Sequence, residues 1–138
     1  MIKYLLISLL ALLSSCSSGP DVDLSQAQVY QVLGSSDFSF PGRERVQVVV
    51  CSDVSKSSFE AKAQTAMSAA IKYQHNSKAA VVWVSLVGKP DQNSGFEANA
   101  YYYSDGKGNA GSEKNLYWDV QASRGADTFD HGQYNTGN

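Results

Sequence analysis

Hydrophobic and polar positions along residues 46–87 follow a pattern typical of a β-α-β unit. Residues 46–51 are rich in β-branched side chains, and residues 79–87 are apolar for longer than simple alternation would give. Between these runs, apolar residues recur every three or four positions and form one stripe of a helix, namely Phe59, Ala63, Ala66, Met67, Ala70 and Ile71. The pattern therefore predicts two parallel strands joined by a helix over residues 57–75.

The predicted helix has recognisable start and stop signals. Ser57 and Glu60 have the spacing of a capping box, in which the hydroxyl and the carboxylate each accept a free backbone amide proton. Asn76 and Ser77 mark the end, because Asn tolerates the left-handed conformation that terminates helices. The lysines of this segment fall outside the apolar stripe and are expected to face water: Lys56, Lys62 and Lys72.

Further strands are predicted on both sides of this unit. Residues 29–33 precede it, and residues 96–103 and 114–120 follow it as a hairpin with a glycine-rich connection. The predicted fold class is α+β, with a single helix packed on one face of a mixed sheet and the order β-β-α-β-β-β along the chain. The folded domain is predicted to span residues 29–121, and the polar, unpatterned residues 122–138 are expected to be a disordered tail.

The first sixteen residues form a processing segment. Lys3 gives a positive start, residues 5–13 are apolar but too short to span a bilayer, and the run ends in Leu13-Ser14-Ser15-Cys16. This ending resembles the lipobox of bacterial lipoprotein precursors. The resemblance implies a signal peptide over residues 1–15, cleavage before Cys16, and attachment of diacylglyceryl and acyl chains such as palmitate at Cys16. The alternative is an ordinary secretory signal that carries a chance cysteine.

The lipobox resemblance also predicts where the protein resides. Two or three acyl chains hold a protein firmly to a bilayer. Ser17 follows the cysteine, whereas an aspartate there would resemble an inner-membrane retention signal, so we expect the periplasmic face of the outer membrane if the source has one. Residues 16–28 are interpreted as the lipidated cysteine and a flexible tether.

The first predicted strand and the β-α-β unit resemble a group of small domains in bacterial and phage-borne lipoproteins. The resemblance covers residues 29–87 and includes the loop Asp37-Phe38-Ser39-Phe40-Pro41-Gly42-Arg43. The group carries no agreed function, so the resemblance implies a setting and no activity.

Composition and motifs exclude several functional classes. The chain has 138 residues, 11 Lys plus Arg, 13 Asp plus Glu and a net charge of −2, without the basic stripe of a nucleic-acid-binding protein. No Gly-x-Ser-x-Gly, His-Glu-x-x-His or Cys-x-x-Cys motif occurs. The glycine-rich residues 105–112 fail the calcium-loop pattern, since Lys107 falls where an oxygen ligand is needed and Ala110 where glycine is needed. We therefore expect no catalytic residue, metal or cofactor.

Isolated polar groups are interpreted as structural. Arg43 and Arg45 could clamp an anion, but solvated loop and edge-strand charges are the simpler interpretation. His75 suits the end of the helix, where a positive charge is favourable. Cys51 has no cysteine partner once Cys16 is acylated and is read as a small apolar residue at a strand end.

Aromatic residues are concentrated where a solvated sheet face would be polar. Alternation in the strands places Trp83, Tyr101 and Tyr103 on the face away from the helix, and the last strand adds either Tyr117 or Trp118. Because Tyr and Trp are enriched at binding hot spots, we predict a partner-binding surface there, formed by Trp83, Tyr101, Tyr103 and Tyr117. The alternative is that residues 24–40 cover this face or that the rings simply stiffen the sheet.

Three functional classes remain. We expect a lipid-anchored binding or interaction module whose partner is an envelope protein or a phage component. A structural envelope lipoprotein is the second possibility. A small envelope hydrolase is the third, and the absence of a convergent set of polar residues counts against it.

Overall fold

A computed structural model describes residues 19–90, 95–125 and 128–137. The elements are β1 (Gln31–Asp37), β2 (Arg45–Cys51), α1 (Phe59–Ser77), β3 (Val81–Val87), β4 (Ala98–Tyr103), β5 (Trp118–Ser123) and β6 (His131–Gln133). The six strands form one sheet in chain order, in which β2 and β3 are parallel and every other neighbouring pair is antiparallel. The predicted α+β class and element order are confirmed, and a sixth strand extends the sheet.

The helix begins one residue later than the capping-box pattern indicates. Ser58 is the N-cap, and its hydroxyl accepts the amide proton of Ala61 at 3.1 Å. The amide of Ser57 instead closes a turn onto the carbonyl of Val54. At the other end, Lys78 adopts the left-handed conformation, with φ 61°, and its amide donates to the carbonyl of Gln74.

The predicted apolar stripe faces the sheet. The helix packs over β3, β4 and β5, where small alanines allow a close approach. Met67 is fully buried in this layer, and Ile71 packs at its edge. The same layer buries the predicted helix-facing residues of β3, which are Val82, Val84 and Leu86.

Residues 19–30 form an N-terminal strap that packs on the domain. Val22 and Leu24 pack against the core, although residues 16–28 were expected to be a flexible tether. The expectation is wrong for the described part, residues 19–28. Composition suggests a linker there because the strap is polar on its outer side.

Hydrogen bonds to the helix fix the strap. The amide of Gln26 donates to Gln64 Oε1 at 2.7 Å, and the amide of Gln28 donates to Thr65 Oγ1 at 2.9 Å. Gln64 and Thr65 are buried on the helix, where unpaired polar groups would be costly. The strap amides therefore supply hydrogen bonds that these buried side chains need.

The C-terminal residues are also ordered into the fold. Strand β6 pairs with β5, and Tyr134 contacts Phe59 with ring centroids 5.9 Å apart. Tyr134 Oη also accepts a hydrogen bond from Gln64 Nε2 at 3.2 Å. The predicted disorder of the tail is therefore wrong for residues 122–125, which include the end of β5, and for residues 128–137. A three-residue edge strand is held by backbone pairing and leaves no periodic signal in the sequence.

Lys62 is fully buried, contrary to the expectation that it faces water. Its Nζ lies 3.0 Å from Glu97 Oε2 and donates to Ser123 Oγ at 2.7 Å and to the Gly125 carbonyl at 3.0 Å. Ser123 Oγ in turn donates to Glu97 Oε2 at 2.9 Å. This cluster, which we call the buried ion-pair cluster, ties the first turns of the helix to the ends of β4 and β5. Its parts lie far apart in sequence, so the pattern around Lys62 gives no sign of the contact.

Replacing Lys62 with methionine should destabilise the domain by about 3–5 kcal/mol, because Glu97 is left buried without its counter-ion. Adding Glu97→Gln should recover much of that loss, since the amide carries no charge and can still accept from Ser123. Urea unfolding measures both effects. Lys72→Met, at an exposed position of the same helix, is the control and should change stability by less than about 0.5 kcal/mol. Equal effects of Lys62→Met and Lys72→Met would contradict the role of the cluster.

Candidate functional site

The sheet face opposite the helix carries a row of stacked aromatic rings. Trp83 and Tyr101 are paired across β3 and β4, and their rings stack with centroids 5.1 Å apart and planes 13° apart. Tyr103, two residues along β4, stacks on Tyr101 at 6.3 Å and 25°. We call Trp83, Tyr101 and Tyr103 the aromatic row. Strand alternation and cross-strand pairing alone place these rings together.

The turn between β1 and β2 closes one side of the row. Phe38 contacts Trp83 edge-on, with centroids 6.2 Å apart. The guanidinium of Arg45 lies 4.7 Å from the Phe38 ring centre and 4.8 Å from that of Phe40, so the cation is held between two aromatic rings. Arg45 is only 7% exposed, which corrects its interpretation as a solvated edge-strand charge.

Two arginines fasten the glycine-rich loop beside the row. Arg43 donates to the carbonyls of Gly108 at 2.5 Å and Asn109 at 2.9 Å, and its Nη2 lies 3.2 Å from Asp105 Oδ1. Arg45 donates to Asn109 Oδ1. Because Arg43 contacts three residues of this loop, it holds the loop in place, which corrects its interpretation as a solvated charge.

A depression of about 410 Å³ lies along the row. Aromatic side chains form one part of its lining and polar side chains the other, the full set being Trp83, Phe96, Asn99, Tyr101, Tyr103, Asn109, Asp119 and Gln121. Asn99 Oδ1 accepts from Trp83 Nε1 at 3.2 Å and from Ser85 Oγ at 3.1 Å. Asp119 Oδ1 accepts from Gln133 Nε2 at 3.0 Å. Amide and carboxylate groups are thus held in fixed positions next to the rings.

The electrostatics of the row keep its phenols protonated. Burial, reinforced by the negative charge of Asp119 and by Tyr101, raises the pKa of Tyr103 to about 12, although Arg45 and Arg43 act in the opposite direction. Burial and Asp119 also raise the pKa of Tyr101. Both hydroxyls are therefore hydrogen-bond donors at neutral pH.

Tyr103 makes a testable contribution to alkaline stability. Its pKa is higher in the folded protein than the ordinary value of 10.0, so the folded state holds this proton more tightly than the unfolded chain does. Its contribution is complete below pH 10 and is lost as pH rises towards 12. Unfolding of wild type and Tyr103→Phe across this range should show a shallower loss of stability in the variant. Parallel curves would contradict the assignment.

The predicted site residues do not all come together. Trp83, Tyr101 and Tyr103 are neighbours, as expected, but Tyr103 is only 2% exposed, so its prediction as a partner-contacting residue is wrong. Tyr117 packs towards the core side and does not line the depression. Trp118, the alternative fourth ring, is also on the helix side, where it stacks on Tyr102 at 4.4 Å. Cys16 lies outside the described residues.

Sequence reasoning missed the polar half of the site and the ring of Phe38. Asn99 lies two residues before Tyr101, so alternation along β4 could have placed it on this face. Asp119 pairs with Tyr101 across β4 and β5, but the predicted strand 114–120 begins too early to give that register. Phe38 comes from a turn, whose position no periodicity reveals.

A larger cavity of about 520 Å³ lies between the strap, β2 and the C-terminal half of the helix. Its lining is mainly apolar, with Val48, Val50, Ala69 and Tyr73 at its walls and Lys72 beside them. It exists because the helix packs over β3 to β5 and leaves the helix side of β1 and β2 to the strap.

Chemically reactive arrangements are not apparent within residues 19–90, 95–125 and 128–137. No group of three or more His, Cys, Asp or Glu side chains in these ranges could hold a metal ion. Ser123 contacts Lys62 as in a serine–lysine dyad, but Ser123 is fully buried and Lys62 Nζ lies 3.0 Å from Glu97 Oε2, so neither side chain is open to a substrate. None of the helices described is long and apolar enough to cross a membrane.

Comparison with known proteins identifies the class to which the fold belongs. The chain matches the model of a domain of unknown function over residues 25–133, a range that includes part of the strap and all six strands. The chain belongs to this family, DUF4875. It is also similar to a solved crystal structure of a DUF487 family protein from Desulfovibrio piger, with 30% identity and a TM-score of 0.65 over 75% of this chain and 67% of that one. No curated protein matches the chain.

Proposed function

We propose that this protein is a lipid-anchored binding module of the bacterial envelope, held at the periplasmic face of the outer membrane through acylated Cys16. Its aromatic row binds a macromolecular partner, either an envelope protein or a phage component. The observation that carries the binding role is the aromatic row itself, which lies beside fixed amide and carboxylate groups on the side of the sheet away from the helix.

The strap does not cover the aromatic row, which supports a binding role for the row. Residues 26 and 28 are hydrogen-bonded to the helix, so this part of the chain lies on the opposite side of the sheet from the row. Trp83 and Tyr101 remain partly exposed, and Gln121 and Asn109 are exposed at the rim. A mixed aromatic and polar surface of this kind is typical of protein-binding surfaces.

The orientation of the rings favours a protein partner over a flat small ligand. Tyr101 stacks against Trp83 and Tyr103, and the rings of Trp83 and Phe38 meet at nearly a right angle. Tyr101 already stacks against two neighbouring rings, whereas a ligand that stacks on aromatic faces needs an open ring face. A partner with its own protruding side chains can contact the partly exposed Trp83 and Tyr101 and enter the depression.

Photo-crosslinking tests the binding surface with two matched positions. A photoreactive residue replaces Gln121 at the rim of the row or Gln28 on the strap, both of which are exposed. We expect one discrete crosslinked partner in intact cells from position 121 and none of that species from position 28. The species should disappear when Trp83→Ala and Tyr101→Ala are combined, provided the variant still melts cooperatively. Its retention in a folded double variant would show that the row is packing and not a site.

Metabolic labelling tests the anchor separately. Cells grown with a fatty-acid analogue should label the wild-type protein and leave Cys16→Ala unlabelled, because the cysteine sulfur is the attachment point. Cys51→Ala is the control and should keep the full label. Equal labelling of wild type and Cys16→Ala would refute the lipid anchor without bearing on the aromatic row.

A further inference from the structure

The packed strap leaves very little free chain between Cys16 and the domain. Gly19 already contacts the folded body, since a methyl group placed on it would lie 3.1 Å from Cδ1 of Tyr117. Only residues 17 and 18 separate Gly19 from Cys16. Three residue steps span at most about 11 Å even when fully extended. An anchor at Cys16 therefore holds the domain at the bilayer surface, whereas a thirteen-residue flexible tether would let it swing freely.

The contacts of Gly19 show which part of the domain lies nearest to the anchor. Tyr117 contacts Gly19 along one part of its ring and Gly106 at its hydroxyl end, where a methyl group on Gly106 would lie 2.7 Å from Cζ. The Tyr117 carbonyl also accepts the amide proton of Tyr103. The chain thus enters at the end of the sheet where β4 stops and the loop of residues 104–117 begins.

Strand register defines this end of the sheet. Tyr103 pairs with Val81, which pairs with Arg45 in turn, so the turn between β1 and β2 lies at the same end. That turn carries Phe40, which is 59% exposed, and Arg43 fastens it to the loop through Gly108 and Asn109. We call this surface, formed by residues 38–44 and 104–117, the anchor end.

We propose that the anchor end is a membrane-contacting surface that rests on the phospholipid headgroups; this inference rests on the lipid anchor proposed above. Phe40 supplies an aromatic ring suited to the interface. The exposed Lys107 and Lys114 are balanced by the exposed Glu44, Asp105 and Glu113, so the proposal rests on the short connection to Cys16 and on Phe40, and not on charge.

The opposite end of the sheet is held away from the bilayer. Strand β3 has seven residues, which corresponds to roughly 20 Å. Lys89 follows its far end and is exposed. The exposed apolar residues Val29 and Phe129 belong to the part of the domain that is not near Gly19, so apolar exposure alone would suggest a different contact. The short connection to Cys16 is what favours the anchor end.

Fluorescence quenching by lipid headgroups tests this orientation. Single cysteines replace Lys107 at the anchor end or Lys89 at the far end, in full-length lipidated protein that carries Cys51→Ser. The labelled proteins are reconstituted in phosphatidylethanolamine–phosphatidylglycerol vesicles that contain nitroxide-headgroup lipid. We expect several-fold stronger quenching at position 107 than at position 89. Equal quenching, or stronger quenching at 89, would overturn the proposal.

A linker insertion separates the effect of the short connection from any intrinsic affinity for lipid. About ten Gly and Ser residues inserted between Ser18 and Gly19 add roughly 17 Å of root-mean-square reach. Quenching at position 107 should fall towards the value at position 89, and unchanged quenching would contradict the role of the connection. The intact mass of the same samples reports acylation of Cys16. An unacylated protein refutes the anchor, whereas an acylated protein without the quenching difference refutes only the orientation.

Discussion

A single helix can cover only part of one face of a six-stranded sheet, and much of this structure follows from that constraint. A helix with its side chains is about 10–12 Å wide, and strands are spaced by about 4.8 Å, so one helix covers two or three strands. Here it covers β3, β4 and β5. The strap crosses the helix, so that Leu24 lies near Trp118 of β5 and residues 27–30 lie next to β2. The opposite face is partly closed by Phe38 and by the loop that Arg43 and Arg45 fasten. The strap, which the sequence predicts to be a linker, and the two arginines, which it predicts to be solvated, therefore both help to cover the sheet.

Periodic elements were predictable from sequence because their signal is local. The β-α-β unit, the buried stripe around Met67, and the grouping of Trp83 with Tyr101 each follow from the repeat of a helix or a strand. The strap, β6 and the burial of Lys62 were not predictable in this way. They are held by a few partners that lie far away in sequence, such as Gln64 and Thr65 for the strap and Glu97 and Ser123 for Lys62, and such contacts leave no pattern in either segment. The site shows the same division, since its rings follow alternation whereas Phe38 and Asp119 depend on a turn and on register.

The buried ion-pair cluster has consequences beyond stability. Lys62 holds Glu97 and Ser123 together at the ends of β4 and β5. Glu97 adjoins Phe96, which lines the depression, and Ser123 lies two residues beyond Gln121 at its rim. These groups must keep their mutual positions, because a buried charge that loses its partner is strongly destabilising. The cluster thus sets one end of the depression, just as the two arginines set the other.

Under the proposed function, the loop of residues 104–117 links the anchor to the site. Its Tyr117 end contacts Gly19, the first described residue after Cys16, and its Asn109 lines the depression. If the anchor end rests on the bilayer, the strands rise from the membrane and the aromatic row faces sideways, parallel to its surface. A partner that is itself confined to the membrane would then approach the row from the side, in the plane in which both molecules diffuse. Confinement of both partners to one surface raises their effective concentration, so a site of modest size could suffice for binding.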